Sequence, residues 1–374
     1  MQQFDVLIAG GGTAGLPAAI AAARAGASVC LVEEDDRPGG AAVDNFITMP
    51  CGRPVVGVYA EVVAELNARH RLPVAENGPI PDLWSRWFLP SAFAVAWQKL
   101  LVAEPNLEVR CRCRALEPLV DDTADGPRVA GAVLRDRDGR EQRVQAAVTI
   151  DATGCGALAV GAGAVEMYGT EGADAFQEPH APACGSDTVQ QCTHMYITQR
   201  LNDGPPVDFD ALGVPLGVDP EFGWIGRDDA RAQERNCGIY LTWGPTVTCA
   251  DTRDSAAVAA AQQEALDRLR PIVERLHQAG MLVHAAPRLG VRETRRIRGR
   301  TVITETHLRA GAKPADTVAI GGWWLDIWGA EIDEGERRVP PYGIPYAALL
   351  PDGVEGLLVA GKAISISHLA LSAY

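Results

Sequence analysis

Gly10, Gly12 and Gly15 stand in the spacing G-x-G-x-x-G, between an apolar run at residues 6–9 and an alanine-rich stretch at 16–26; Glu33 closes the next apolar run. That spacing does phosphate chemistry. Gly10 permits a tight turn, Gly12 lets a pyrophosphate approach the backbone, and Gly15 lets helix and strand pack closely. The helix opening at Thr13, Ala14 and Gly15 offers unpaired N–H groups and a partial positive charge. Glu33, with Glu34 beside it, accepts from ribose hydroxyls and repels a 2′-phosphate, which disfavours NADP. Taken alone, the motif does not separate FAD from NAD.

Other residues could move protons or hold an anion. His194 can be a base near neutral pH or a solvated loop residue. Tyr342 can donate to a substrate or belong to a rigid turn at Pro340-Pro341-Tyr342-Gly343. Arg292, Arg295, Arg296 and Arg298 can hold a carboxylate bidentately or pair internally with Glu293 and Glu305. Cys51 is either redox-active or a small buried thiol; it has no Cys-x-x-x-x-Cys partner. Trp323, Trp324 and Trp328 can line a pocket for a ring or sugar-like substrate or fill the core.

The elements that must position these residues follow from periodicity. Residues 6–9 read as a buried parallel strand, 16–26 as a helix and 27–32 as the next strand. Trp84, Trp87 and Phe88 precede Pro90-Ser91, a stop followed by a cap, and then a helix over 92–102 with Phe93, Ala96, Trp97 and Leu100 on one face. Residues 107–120 alternate as a strand, and 129–135 and 142–150 form a hairpin around Asp138-Gly139. Its second arm stops at Asp151-Ala152-Thr153-Gly154, where small residues can lie against a cofactor. Residues 255–279 read as one helix, bent at Pro271, and 318–326 and 356–360 as strands. The fold class is therefore α/β: a Rossmann-like β-α-β unit with a parallel sheet, plus a mixed α+β region. The expected division is 1–165 for the dinucleotide-binding part, 166–288 for a substrate or cap domain, and 289–374 for the return to the first.

The 374 residues carry a net charge of −14 and a pI near 5.0, which argues against nucleic-acid backbones and anionic membranes as partners. The nine cysteines form no C-x-x-C pair or Cys/His ligand set, so no metal is expected and reduced thiols in a cytoplasmic protein are the plain reading. The first strand begins almost at once, without a signal peptide, and the alanine-rich stretch is too short for a membrane span.

Taken jointly, the blocks Gly10 to Gly15, Glu33, Gly39-Gly40, Asp151-Ala152-Thr153-Gly154, Gly290-Val291-Arg292-Glu293-Thr294-Arg295-Arg296, Ile344-Pro345-Tyr346 and Leu357-Leu358-Val359-Ala360-Gly361-Lys362 have a counterpart. The chain resembles the FAD-dependent oxidoreductases with a glutathione-reductase-type flavin fold. The resemblance implies FAD as cofactor. It sets Gly10, Gly12 and Gly15 on the pyrophosphate and Glu33 on the adenosine ribose. Ala115 falls at adenine. Gly39, Gly40, Ala152, Thr153, Gly154, Gly361 and Lys362 fall along the ribityl chain and the isoalloxazine. The sequence also departs from the family. Cys155 and Ala157 replace acids, Lys362 replaces an arginine and loses its planar fork, and Trp328 stands where a histidine near the substrate is common.

The resemblance implies oxidation of a small organic substrate, with a hydride passing from a C–H beside OH or NH to flavin N5. His368, just after the Gly361 loop, is the first candidate for the base that takes the heteroatom proton; its other role would be a helix-cap contact. Arg292 and Trp328 are the candidate substrate contacts. Two other readings stand beside this one. A flavin monooxygenase would need a nicotinamide site, and no second G-x-G-x-x-G is present. A flavin-binding subunit would act only within a complex. The family continues into a helix beyond the residue matched by Tyr374, so a second polypeptide or a C-terminal fragment is expected to complete the flavin site, in an oligomer.

Overall fold

The computed structural model describes residues 2–50, 54–69, 87–124, 126–201, 209, 211–214, 217–219, 223–224, 239–327 and 332–374. Cys51, Trp84 and Trp328 lie outside the described residues.

Strand β1 (Gln2–Ala9) pairs in parallel with β2 (Val29–Glu33), in the register Val6↔Val29 to Ala9↔Val32. Helix α1 (Gly15–Arg24) connects them. Leu16, Ala19, Ile20 and Ala23 form its buried stripe, at the helical spacing of three and four. Pro17 sits in the first turn, where its missing N–H has no intrahelical partner to lose. Gly26, at φ 94°, ends the helix: its N–H donates to Ala23 O at 2.9 Å, and Ala27 N donates to Ala22 O at 3.1 Å.

The main sheet continues outward from β2 through β3 (Leu107–Cys111). On the other side of β1 lies β6 (Glu141–Asp151), parallel, from Gln2↔Val144 to Ala9↔Asp151. The antiparallel strands β4 (Arg114–Thr123) and β5 (Gly126–Arg135) extend the sheet from β6. Much later in the chain, Leu357–Val359 returns in parallel beside the last residues of β6. Five parallel strands therefore end on one side of the sheet. There the chain is laced by Gly10 N to Val32 O at 2.9 Å, Ala152 N to Ala9 O at 2.8 Å and Ala360 N to Asp151 O at 2.9 Å. Ligands of open α/β sheets bind beyond such carboxyl ends.

A second, antiparallel sheet is centred on Tyr196–Arg200, flanked by Ile239–Thr242 and Met281–Ala285. The helix Ser255–Gln278 packs against it through Leu269 and Leu276, which meet Tyr196, Tyr240 and Met281. Pro271 lies inside this helix. The opposite apolar cluster joins Met195, Ile197 and Leu241 to Phe46, Met49, Trp87 and Leu89 from the first part of the chain.

Three expectations shift. The strand expected over 107–120 is two strands, broken at Arg112, whose φ is 52°. The helix expected from 92 begins at Pro90, with Leu89 as its cap: proline serves as the first helical residue, not as a stop. The late strand is Thr317–Gly321, paired with Tyr342–Pro345, so Pro340 to Gly343 is not a simple turn. Phe93, Ala96 and Trp97 are core residues, as their spacing implies.

Candidate functional site

The glycine loop is built by backbone contact. A Cβ on Gly10 would lie 2.3 Å from Ala152 O, and one on Gly15 would lie 1.9 Å from Gly10 O. Gly12 differs: a Cβ there meets nothing nearer than Gly40 Cα at 4.0 Å. The protein itself does not require a glycine at 12. The space beside it suits a ligand that must touch the main chain. The α1 N-terminus carries no side-chain cap, Thr13 is exposed, and Ala14 occupies the cap position. Its first N–H groups face outward where a pyrophosphate would be held.

Glu33 closes β2 and is buried. Its Oε2 accepts from Gly11 N at 2.8 Å and its Oε1 from Asp35 N at 3.0 Å. Burial pushes its pKa up, and the two backbone donors work against that. Each oxygen keeps a lone pair for a ribose hydroxyl. Glu34 is held by Arg288 at 3.0 Å, and the same guanidinium reaches Asp35 at 2.6 Å. Gly39 N donates to Gly11 O at 2.9 Å, and Gly40, at φ 54°, starts the short helix Ala41–Asp44. A Cβ on Gly40 would lie 2.7 Å from Gly12 Cα, so the two glycine blocks form one surface. Ala115 is in β4, buried, with its backbone opposite Leu134.

The Asp151 block forms the adjoining wall. Asp151 is fully buried; its Oδ1 accepts from Thr153 N at 3.1 Å and Thr153 Oγ1 at 2.6 Å, and its Oδ2 accepts from Ala159 N at 3.0 Å. The carboxylate thereby ties the Ala152–Gly154 turn to the start of the helix Ala157–Gly161. A Cβ on Gly154 would lie 3.3 Å from Lys362 Cε, and one on Gly361 would lie 3.3 Å from Ala14 Cβ. The Gly10–Gly15, Asp151–Gly154 and Leu357–Lys362 blocks thus meet at one end of the sheet.

Lys362 Nζ donates to Val291 O at 2.8 Å, and burial lowers the pKa of its ammonium. Arg292 is the next residue along; burial lowers its pKa too, with the Asp326 carboxylate opposing. Its Nη2 lies 3.5 Å from Thr193 Oγ1. Burial pushes the Cys192 thiol up to about 11, while Lys362 and Arg292 pull it down. Two cations therefore share this edge of the site.

His368 is buried, and its Nδ1 lies 2.7 Å from Glu293 Oε2. Its backbone N donates to Glu171 Oε2 at 2.8 Å. It is the first residue of the short helix His368–Leu371, whose cap is Ser367. The arginine run divides. Arg296 is fully buried and paired with Glu171 at 3.0 Å and Glu293 at 3.5 Å; Arg295 pairs with Glu166 at 3.3 Å. Arg298 is exposed. Only Arg292 points toward Lys362 and Cys192.

Two candidates fall elsewhere. Tyr342 is fully buried, burial raises its pKa, and its hydroxyl donates to Ala373 O at 2.7 Å within an apolar cluster. That bond uses the donor a substrate would need. His194 is not a solvated loop residue; it is fully buried beside Gly244 and Pro245, and burial lowers its pKa. The rings of Trp323 and Trp324 lie 4.5 Å apart, tilted by 43°, with Trp324 exposed.

Sequence reasoning missed two carboxylates. Glu171 carried no motif signal, and Glu293 was visible only as a partner for the arginines. Periodicity cannot pair residues far apart in the chain. His180 was missed as well: it bridges Glu305 at 2.6 Å and Glu336 at 3.1 Å. Burial pulls the His180 pKa down, and those two carboxylates hold it raised.

A family model described as FAD dependent oxidoreductase matches residues 5–374, and the chain belongs to that family. FAD is the cofactor of that family, and the glycine surface, the uncapped α1 terminus and Glu33 fit the group. Among solved structures, the chain is similar to THI4 from Thermovibrio ammonificans (20% identity, 42% of this chain and 61% of that one, TM-score 0.32). It is also similar to the myxobacterial chondrochloren halogenase CndH (16% identity, 79% of this chain and 65% of that one, TM-score 0.42). A third is p-nitrophenol 4-monooxygenase PnpA from Pseudomonas putida DLL-E4 (13% identity, 80% of this chain and 71% of that one, TM-score 0.42). The chain thus spans less than two thirds of the length of the first two.

Proposed function

We propose that the protein oxidises a small organic acid at a C–H beside OH or NH, with His368 as the base and Arg292 as the anchor. The observation that carries this reading is the placement of consecutive residues Arg292 and Glu293. The first reaches toward Thr193 and the cationic edge, and the second binds the His368 ring at 2.7 Å. Neighbouring Cα atoms are about 3.8 Å apart, so a carboxylate anchor and the grip on a base issue from one point of the chain. Lys362 adds a second positive charge at that edge. Bound FAD supplies the hydride acceptor. The chain's own residues hold the cofactor through Gly10–Gly15 and Glu33, orient the acid through Arg292, and take the heteroatom proton at His368 Nε2. Residues 166–288, which include the second sheet, are the proposed substrate-facing part, and Trp328 is kept as a proposed substrate contact.

Anaerobic mixing of the FAD-loaded protein with a panel of 2-hydroxy acids, 2-amino acids and sugar acids tests the reading. Members of one class bleach the flavin, and His368→Gln slows bleaching by about 10²- to 10⁴-fold. Bleaching by a reduced nicotinamide, and by none of the acids, would instead indicate the monooxygenase reading. The proposed second polypeptide and oligomer are read separately, by the mass of the FAD-loaded particle in solution. The seven described cysteines are all unpaired, which supports the proposed reducing, cytoplasmic setting. Among the described residues, no helix is long and apolar enough to cross a membrane.

A further inference from the structure

His368 and Glu293 are 75 residues apart in the chain, yet their side chains meet at 2.7 Å, with Glu293 fully buried. An ionised carboxylate only accepts, so this bond needs the imidazole proton on Nδ1. Nε2 is then left with its lone pair. The carboxylate is itself fixed. Gln190 N donates to the same Oε2 at 2.9 Å, and Arg296 lies 3.5 Å from Oε1. Arg296 also pairs with Glu171 at 3.0 Å, and Glu171 accepts the backbone N–H of His368. Ring and backbone of one histidine are thus gripped by two carboxylates that share one buried guanidinium. The groups facing His368 are Glu293 and Glu171, with Arg296 between them. Glu178 joins through Ser367, whose hydroxyl donates to it at 2.5 Å and whose oxygen caps the His368 helix.

The geometry points to Glu293 as a positioning residue: it fixes the Nδ1–H tautomer of His368 and leaves Nε2 as the atom that receives the substrate proton. The transfer balances simply. The substrate O–H or N–H bond breaks, its proton bonds to Nε2, and the ring becomes an imidazolium that Glu293 stabilises; the hydride leaves to the cofactor. Glu171 and Arg296 keep the pair in register. Oε2 of Glu293 already accepts two N–H bonds, so on the His368 side the carboxylate acts as a holder of the ring. The inference rests on the reading of His368 as the base.

Its test reads the tautomer directly. FAD-loaded protein labelled with ¹⁵N-histidine is followed by NMR across pH, with the His368 signals assigned by their loss in His368→Gln. The wild type shows the neutral ring protonated on Nδ1. In Glu293→Leu the acceptor facing Nδ1 is gone, so the proton of the neutral ring moves to Nε2. Glu293→Asp restores the Nδ1–H tautomer, with its resonance moved upfield as the bond lengthens. A wild-type ring protonated on Nε2, or a Glu293→Leu ring that keeps the wild-type tautomer, overturns the inference. Should Glu293→Leu not fold, an Nδ1–H resonance unmoved in Glu293→Asp overturns it instead. A His368→Gln protein that bleaches at the wild-type rate sinks the base reading and leaves the tautomer result standing, so the two failures are distinguishable.

Discussion

Alanine at Gly12 and alanine at Gly15 should have opposite consequences, although both glycines belong to one motif. At Gly15 the new Cβ would sit 1.9 Å from Gly10 O, a backbone atom, whereas Cβ contacts under 3.0 Å essentially do not occur. Helix and strand must separate by about 1 Å, and in a close-packed interior such overpacking costs about 3 kcal/mol. At Gly12 the nearest atom is 4.0 Å away, which is ordinary contact. The apo protein should change by less than about 0.5 kcal/mol. The methyl would instead stand between the backbone and a pyrophosphate. Losing one hydrogen bond to a charged group costs about 1.5–3 kcal/mol, so FAD affinity should fall roughly 10- to 100-fold. Urea denaturation of the apo protein and calorimetric FAD titration separate the two effects. An apo Gly12→Ala protein destabilised by more than about 1 kcal/mol, or one that binds FAD like the wild type, refutes the reasoning. So does a Gly15→Ala protein of unchanged stability.

Tyr342→Phe removes a buried hydrogen bond of 2.7 Å to Ala373 O; urea denaturation should show a loss of about 1–2 kcal/mol, with the rate of flavin bleaching unchanged, and a slowed rate would return Tyr342 to the site. Asp44 is half-buried near Asp35 and Glu33, and burial first, then Asp35, raises its pKa from 3.8 to about 6 against the pull of Arg288. The folded state therefore binds the proton more tightly than the unfolded chain, so stability falls as pH rises from about 4 to about 6 and stays lowered above that. Asp44→Asn should then stabilise the apo protein at pH 7 by on the order of 1 kcal/mol, after allowance for solvent screening, and leave it unchanged at pH 4; equal effects at both pH values would count against the shift.

The nucleotide end of the site was legible because its chemistry is local. A strand, three glycines, a helix and an acid follow one another within 33 residues, and each is confirmed by a contact inside that stretch or to one neighbouring strand. The hairpin of β5 and β6 and the helix ending at Gln278 were legible for the same reason. Tyr342 was not. Its sequence neighbours suggest a turn, but whether a hydroxyl reaches a ligand or Ala373 depends on which strand lies against it. The arginine run shows the same limit: four similar residues meet four different surroundings, and burial alone distinguishes Arg296 from Arg298.

From its sequence alone, this chain had to build a phosphate-binding turn and a buried acid at the end of β2, because backbone freedom and short-range hydrogen bonding depend only on neighbouring residues. Which histidine meets a carboxylate was decided by the tertiary structure. His194 and His368 are the same chemical group, and both are enclosed. Only His368 meets a carboxylate, brought from 75 residues away by the return of the chain to the parallel sheet. A proton is placed by its partners, and the partners are set by the fold.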